Sequence, residues 1–258
     1  MTDTILRRTC AALTAAGLLL GVAACSSDGT DSTESSDNAG SAGNGDTSGS
    51  AVSDNPADMM LTDSDTPAGY EWNNVADVLE DGSDDTAEEL RNIAGSTRTD
   101  PEQCSALAPR AVSILATLQD NRDTAAAVEF LPQDENDPGV INAMISTDPE
   151  NTGMALPEDL SECASFTQGS DLDPDSPVVN YETEVSDAEV VGAEDVHVIT
   201  VVNDSDSPSG DNPASVVVGR VDNVVFRVNA SGVEEPQLLL DLVDRQVDRI
   251  RGNDPDEH

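Results

Sequence analysis

The run Ala214-Ser-Val-Val-Val-Gly-Arg-Val-Asp-Asn-Val-Val-Phe-Arg-Val-Asn229 decides the fold class. Two valine-rich stretches, 214–220 and 223–229, meet at the Asp222-Asn223 pair. β-Branched runs bounded by such turn formers read as the two strands of a hairpin. Toward the N-terminus, 178–186 and 190–202 supply two more strand candidates, set apart by Asp, Gly, Pro and Asn. Toward the C-terminus, 235–251 has the period of an amphipathic helix. Leu239, Val243, Val247 and Ile250 form its apolar stripe, and Asp241 with Arg245 makes an acid-first i,i+4 pair.

Further upstream, 125–132 and 139–147 read as strands joined across the polar stretch 133–138. Met59-Met60-Leu61 is a short apolar cluster. It precedes the turn Thr66-Pro67-Ala68-Gly69 and the strand-like alternation Tyr70-Glu71-Trp72. Residues from Asp77 to Thr99 are acidic and weakly patterned. Asp100-Pro101-Glu102-Gln103 has the form of a helix start, with an N-cap, proline at the first helical position and acids at the positive end of the dipole. Pro109 breaks that element, and the next segment carries Val112, Leu115 and Leu118 on one side. Leu156–Cys163, with Pro157 early, starts a further short helix. Short turns between adjacent strands predict an α+β domain. Its antiparallel β-sheet of about six strands is backed by helices on one face.

The chain has 258 residues with 52 acids and 11 basic residues, all arginine, for a formal charge of −41. Such a field repels nucleic acid and anionic headgroups, which argues against both as partners. Lysine-free, Ala/Val/Asp-rich composition is typical of a high-GC actinobacterium, and a salt-adapted host gives the same bias. Arg7 and Arg8 precede an apolar run from Ala11 to Ala24. A positive flank before a short apolar core reads as a secretory signal peptide. It falls short of the roughly 20 residues that a spanning helix needs.

The run ends Val22-Ala23-Ala24-Cys25, which resembles the lipobox of bacterial lipoproteins. The resemblance implies cleavage after Ala24 and a lipidated Cys25 at the mature N-terminus. Two or three acyl (palmitate-type) chains there anchor the protein to the extracytoplasmic face of the cell membrane, since each buried methylene contributes about 0.8 kcal/mol. The competing reading is an ordinary signal cleaved nearby, leaving Cys25 a free thiol.

The expected organisation is a lipoprotein signal peptide over 1–24, then a lipidated N-terminus and disordered Ser/Gly/Asp-rich tether over 25–56. A single α+β extracytoplasmic domain over 57–252 and an acidic tail over 253–258 complete it. The tether's composition offers almost nothing to bury, and its flexible span is about 30 Å. Cys10 departs with the signal and Cys25 carries lipid. Cys104 and Cys163 remain as an even pair in an oxidising compartment, so they are predicted to form the one disulfide. A two-cysteine metal site lacks the CxxC spacing and the histidines that zinc requires.

Several short strings together resemble a known type of protein. They are the lipobox and polar tether, Pro67-Ala68-Gly69-Tyr70, Asp100-Pro-Glu-Gln-Cys104, Leu160-Ser-Glu-Cys163, the Gly219–Phe226 hairpin and the C-terminal helix. This layout, over roughly 57–251, is similar to the extracytoplasmic sensor-type domains of mycobacteria, including the PknH extracellular domain and related uncharacterised lipoproteins. It is more distantly similar to the LpqN-like lipoproteins. The resemblance implies a helix-backed antiparallel sheet, no known catalysis and a ligand groove. The single cysteine pair departs from the PknH-type domains, which carry more than one disulfide.

No catalytic constellation accompanies this layout. The two histidines are His197, placed by alternation on the strand face opposite Val196 and Val198, and His258 in the tail. Neither is joined by a serine-nucleophile motif, and there is no Walker, dinucleotide or HExxH sequence. The six aromatics, Tyr70, Trp72, Phe130, Phe166, Tyr181 and Phe226, are needed for a core rather than for stacking on sugars. Asp171, Asp173, Asp175 and Glu182 match the first, third, fifth and twelfth positions of a calcium loop. Ser176 replaces its glycine, however, and Pro174 and Pro177 stiffen it. The expected protein is therefore not an enzyme and has no cofactor or metal. It has a binding, sensing or envelope-structural role, with the membrane as partner through its anchor and a protein or small apolar ligand besides. The alternative is a carrier holding a lipid or other apolar molecule between sheet and helices. A hydrolase would require His197 in a cleft beside a serine and a carboxylate.

Overall fold

Valine-rich runs and short turns assemble into one antiparallel sheet of nine strands. They are β1 (Tyr70–Asn74), β2 (Thr97–Asp100), β3 (Ala125–Pro132), β4 (Val140–Ser146), β5 (Ser165–Ser170), β6 (Val179–Asp187), β7 (Glu194–Asn203), β8 (Ala214–Val221) and β9 (Val224–Ser231). Their order across the sheet is β1-β3-β4-β9-β8-β7-β6-β5-β2. Among the described residues four α-helices accompany them, α1 (Val75–Glu80), α2 (Asp84–Gly95), α3 (Ala111–Asp120) and α4 (Pro236–Ile250). This computed structural model describes residues 53–80, 84–108, 111–134, 139–172, 178–203, 213–233 and 236–253.

The α+β class and the 125–147 and 214–231 hairpins agree with the sequence reading, but the sheet exceeds the expected six or so strands. β2 (Thr-Arg-Thr-Asp) and β5 (Ser-Phe-Thr-Gln-Gly-Ser) have no apolar run to mark them. β5 forms between β6 and β2, and β2 forms against β5, Thr97 opposite Ser170 and Asp100 opposite Thr167. Asp100 therefore ends a strand rather than capping a helix. Only a 3-10 turn, Glu102–Leu107, follows it, and Leu160–Cys163 is likewise a single 3-10 turn capped by Asp159. Two helices, α1 and α2, lie in the weakly patterned 77–99 region.

Helices cover both faces of the sheet, not one. On the first face, Phe130, Ile141, Val217, Phe226 and Val228 pack under the α4 stripe of Leu239, Leu242, Val243, Val247 and Ile250. On the second, Ala127, Met144 and Val225 pack under Val75 of α1 and under Ile114 and Leu118 of α3. The physical reason is visible in β8, where the successive residues Val216, Val217 and Val218 are all buried. A strand apolar on both sides must be covered on both sides.

Polar groups set how α4 sits. Gln246 is fully buried within the stripe and donates through Nε2 to the Met59 carbonyl at 2.7 Å. This draws Met59, Met60 and Leu61 into the core. Arg249, in the last turn of the helix, binds buried Asp65 at 3.1 Å together with the Thr62 and Ser64 hydroxyls. Asp241 accepts from Gln237 at 2.8 Å, in place of the expected partner Arg245.

Three chain segments run over the second face. α1 and α2 lead from β1 at one edge to β2 at the other, the Glu102–Leu107 turn and α3 lead back to β3, and residues 147–164 pass from β4 to β5. Phe226 packs against the backbone of Gly219 on the first face, where an added Cβ would lie 2.5 Å from its ring and 3.0 Å from Val196. Gly219→Ala should therefore lower unfolding stability by about 1–3 kcal/mol, the usual cost of overpacking. This is read as a lower urea midpoint, and an unchanged midpoint would show that the ring is free to move aside.

A candidate ligand groove under the β4–β5 crossing

The crossing segment 147–164 is tied down at its ends and stands off the sheet between them. At the β4 end, Thr147 N–H donates to the Thr124 carbonyl at 2.9 Å, and the Thr152 hydroxyl meets Ser146 Oγ at 2.9 Å. At the β5 end, Thr183 donates through N–H to Ala164 O and through its hydroxyl to Cys163 O, at 2.9 and 2.7 Å. The Cys104–Cys163 disulfide, its Cα atoms 5.5 Å apart and both sulfurs enclosed, binds this end to the Glu102–Leu107 turn. Closing a loop of 59 residues contributes roughly 4 kcal/mol in the chain-entropy account.

Between the ties lies a groove of about 870 Å³. Val185 and Val225 on the sheet face Met154, Leu156, Pro157 and Leu160 of the crossing segment across it. Size and lining match a small-molecule site, which is mostly apolar with a few placed polar groups.

The polar groups gather on β6, β7 and β8. A β-bulge in β7 sets Asp195 and Val196 against one residue of β8, because Glu194 pairs with Arg220 and His197 with Val218. Asp195 takes a left-handed φ of 51°, which aspartate tolerates better than most residues. Neighbouring strand residues ordinarily point to opposite faces. The bulge instead brings Glu194 and Asp195 to the same guanidinium. Arg220 Nε donates to Asp195 at 2.8 Å, Nη2 lies 2.6 Å from Glu194, and Nη1 reaches the Asp222 carbonyl at 3.4 Å. The Arg220 hydrogen bond and charge hold the Asp195 carboxyl below the usual range, and Asp195 and Glu194 push Arg220 up. Beside them His197 Nδ1 lies 2.9 Å from Asp187, its cross-strand partner. On the opposite wall the Ser161 hydroxyl and N–H hold Asp159 low.

A second arginine on this face, Arg227, is enclosed beneath the Glu102–Leu107 turn. It donates to the carbonyls of Ala106 and Ala108. Burial pushes it down to about 10, so it remains cationic at neutral pH. Its role is to cap that turn, which keeps the disulfide's anchorage in place.

Of the residues singled out in the sequence, Cys104 and Cys163 are bonded, and His197 lies in the groove on the face opposite Val196. Ala24, Cys25 and His258 lie outside the described residues. His197 does meet a carboxylate. Ser161, a serine lining the groove, gives its hydroxyl to Asp159, and no serine hydrogen-bonds His197 among the described residues. Of the four calcium-loop positions, Asp171 and Glu182 fall among the described residues. Asp171 pairs with Arg98, Glu182 is a strand residue of β6 opposite Ser165 and Val202, and 173–177 lie outside the described residues. Sequence reasoning missed Arg220, Asp187 and Asp195. Arg220 had a signal, a charge interrupting a valine run; the two acids had none in so acidic a chain.

No protein-family model and no curated protein matches the chain. Among solved structures it is similar to the extracellular domain of PknH from Mycobacterium tuberculosis. The likeness is at 12% identity with a TM-score of 0.41, over 61% of this chain and 78% of that one. It is also similar to an uncharacterised protein from Mycobacterium smegmatis, the Rv0999 ortholog, at 12% identity and a TM-score of 0.35, over 60% and 76% of the two chains. Among the described residues no helix is long and apolar enough to cross a membrane.

Because the Arg220 hydrogen bond is the first cause of the low Asp195 titration, Arg220→Ala should return that carboxyl toward the ordinary aspartate range. Carbon-detected NMR titration of Asp195 reads this directly. A midpoint identical in the two proteins would mean that the pair does not persist in solution.

Proposed function

We propose that this chain is a secreted lipoprotein, held at the extracytoplasmic face of the cell membrane by acyl chains on Cys25. Its folded part binds a small amphipathic molecule in the groove between β6–β9 and residues 147–164, in a carrier or sensing role without catalysis. The observation that carries the binding role is the groove itself, with its apolar walls from two separate chain segments and its charged groups on both of them, Asp187, Asp195, His197 and Arg220 on the strands and Glu158 and Asp159 on the crossing segment. The signal-like N-terminus and lipobox support the anchor. A His–Asp pair that no nucleophile joins among the described residues supports binding over hydrolysis, since nucleophilic catalysis needs the base within reach of the attacking group.

A bound amphiphile would touch the crossing segment and the sheet at once. Occupancy can thus be felt at the disulfide-tied wall, which is how a sensor would differ from a passive carrier.

Native mass spectrometry of the protein purified from its own host tests the groove. A small amphiphile should co-purify with the wild type and be lost from Val185→Trp, which fills the groove floor. Retention by the filled variant would remove the groove as the binding site. The anchor is tested separately by metabolic labelling with an alkynyl palmitate analogue. The wild type should take the label and partition with membranes, and Cys25→Ser should do neither. An unlabelled wild type would overturn the lipoprotein assignment.

A further inference from the structure

We propose that the ligand of this groove carries a cationic polar end, an amine or ammonium on an apolar body, and that anionic amphiphiles are rejected. The inference rests on the groove being the binding site, as proposed above. Glu158, Asp159, Asp187 and Asp195 line the groove against Arg220 and His197, and the sign is decided by which of these are already committed. All three nitrogens of Arg220 are engaged, with Asp195, Glu194 and the Asp222 carbonyl. A carboxylate or phosphate head recognises arginine through a pair of parallel N–H donors, and the Nε and Nη2 donors of one such fork are taken by Asp195 and Glu194. The first turn at Leu160–Cys163 offers no anion site either. The Asp159 carboxylate takes the Ser161 N–H, and its carbonyl takes the Glu162 N–H.

The acids, by contrast, retain capacity. Asp187 accepts from His197 through one oxygen, and its side chain is 89% exposed. Glu158 stands exposed on the opposite wall. An ammonium seated between the walls meets two carboxylates with oxygens to offer, while its chain lies on Val185, Val225, Met154 and Leu156. Attraction of this kind, between partly solvated charges, weakens as salt rises.

Calorimetric titration of the full chain compares three probes, dodecylammonium, dodecanol and dodecanoate, each below its micelle-forming concentration. Dodecylammonium should bind tightest, roughly tenfold or more above dodecanoate, with the margin shrinking at high salt. Asp187→Asn combined with Glu158→Gln should erase the preference and leave dodecanol binding unchanged, which also reports that the variant is folded. Asp241→Asn with Asp244→Asn removes the same charge from α4 on the other face and should leave the preference intact. Dodecanoate binding as tightly as dodecylammonium would overturn the assignment of sign alone. An equal loss from the α4 variant would do the same, by tracing the preference to the general field of the protein. Failure of all three probes to bind would overturn the groove reading beneath it.

Discussion

The pairing of β4 with β9 is the joint on which the rest of the molecule depends. It runs from Val140 opposite Ser231 to Ser146 opposite Val225 and links strands distant in sequence. It merges the β1-β3-β4 sheet with the β9-to-β5 meander and its edge strand β2. Without it each part would present an open edge strand, a row of unpaired N–H and carbonyl groups. Once β9 lies beside β4, strand β5 is five strand spacings away, about 24 Å at the usual separation. Residues 147–164 must span that gap, and an extended chain of that length reaches roughly two and a half times as far. The slack lets the segment stand away from the sheet, and the groove is the space beneath it.

The core follows the same logic. The strands around the joint are apolar on both sides, so α4 and the 56–61 segment cover one face while α1, α3 and the disulfide-linked turns cover the other. Hydrophobic burial supplies the attraction without specifying an orientation. Orientation comes from a few enclosed polar contacts, Gln246 to Met59, Arg249 to Asp65, and Arg227 to the carbonyls of Ala106 and Ala108. Each would leave a costly unpaired group if its partner were displaced.

The chemistry of the groove depends on a local irregularity. A regular β7 would send Glu194 and Asp195 to opposite faces; the bulge turns both to Arg220 and so spends the strongest anion receptor in the groove on internal partners. An arginine in the wall of the groove is thus paired with the chain's own acids.

Much of this protein was legible one residue at a time. The α4 stripe, the β3–β4 and β8–β9 hairpins, the side of the strand on which His197 falls and the pairing of Cys104 with Cys163 all follow from periodicity, turn formers and cysteine arithmetic, which act over short range or by elimination. The β2–β5 pairing, the covering of both sheet faces and the position of β9 beside β4 did not. Weakly apolar edge strands form only when a distant partner offers its backbone, and strand order is chosen by the whole chain's burial rather than by any segment. Arg220, Asp187 and Asp195 became a constellation for the same reason: among 52 acids, nothing distinguishes two of them until the sheet brings them to one wall.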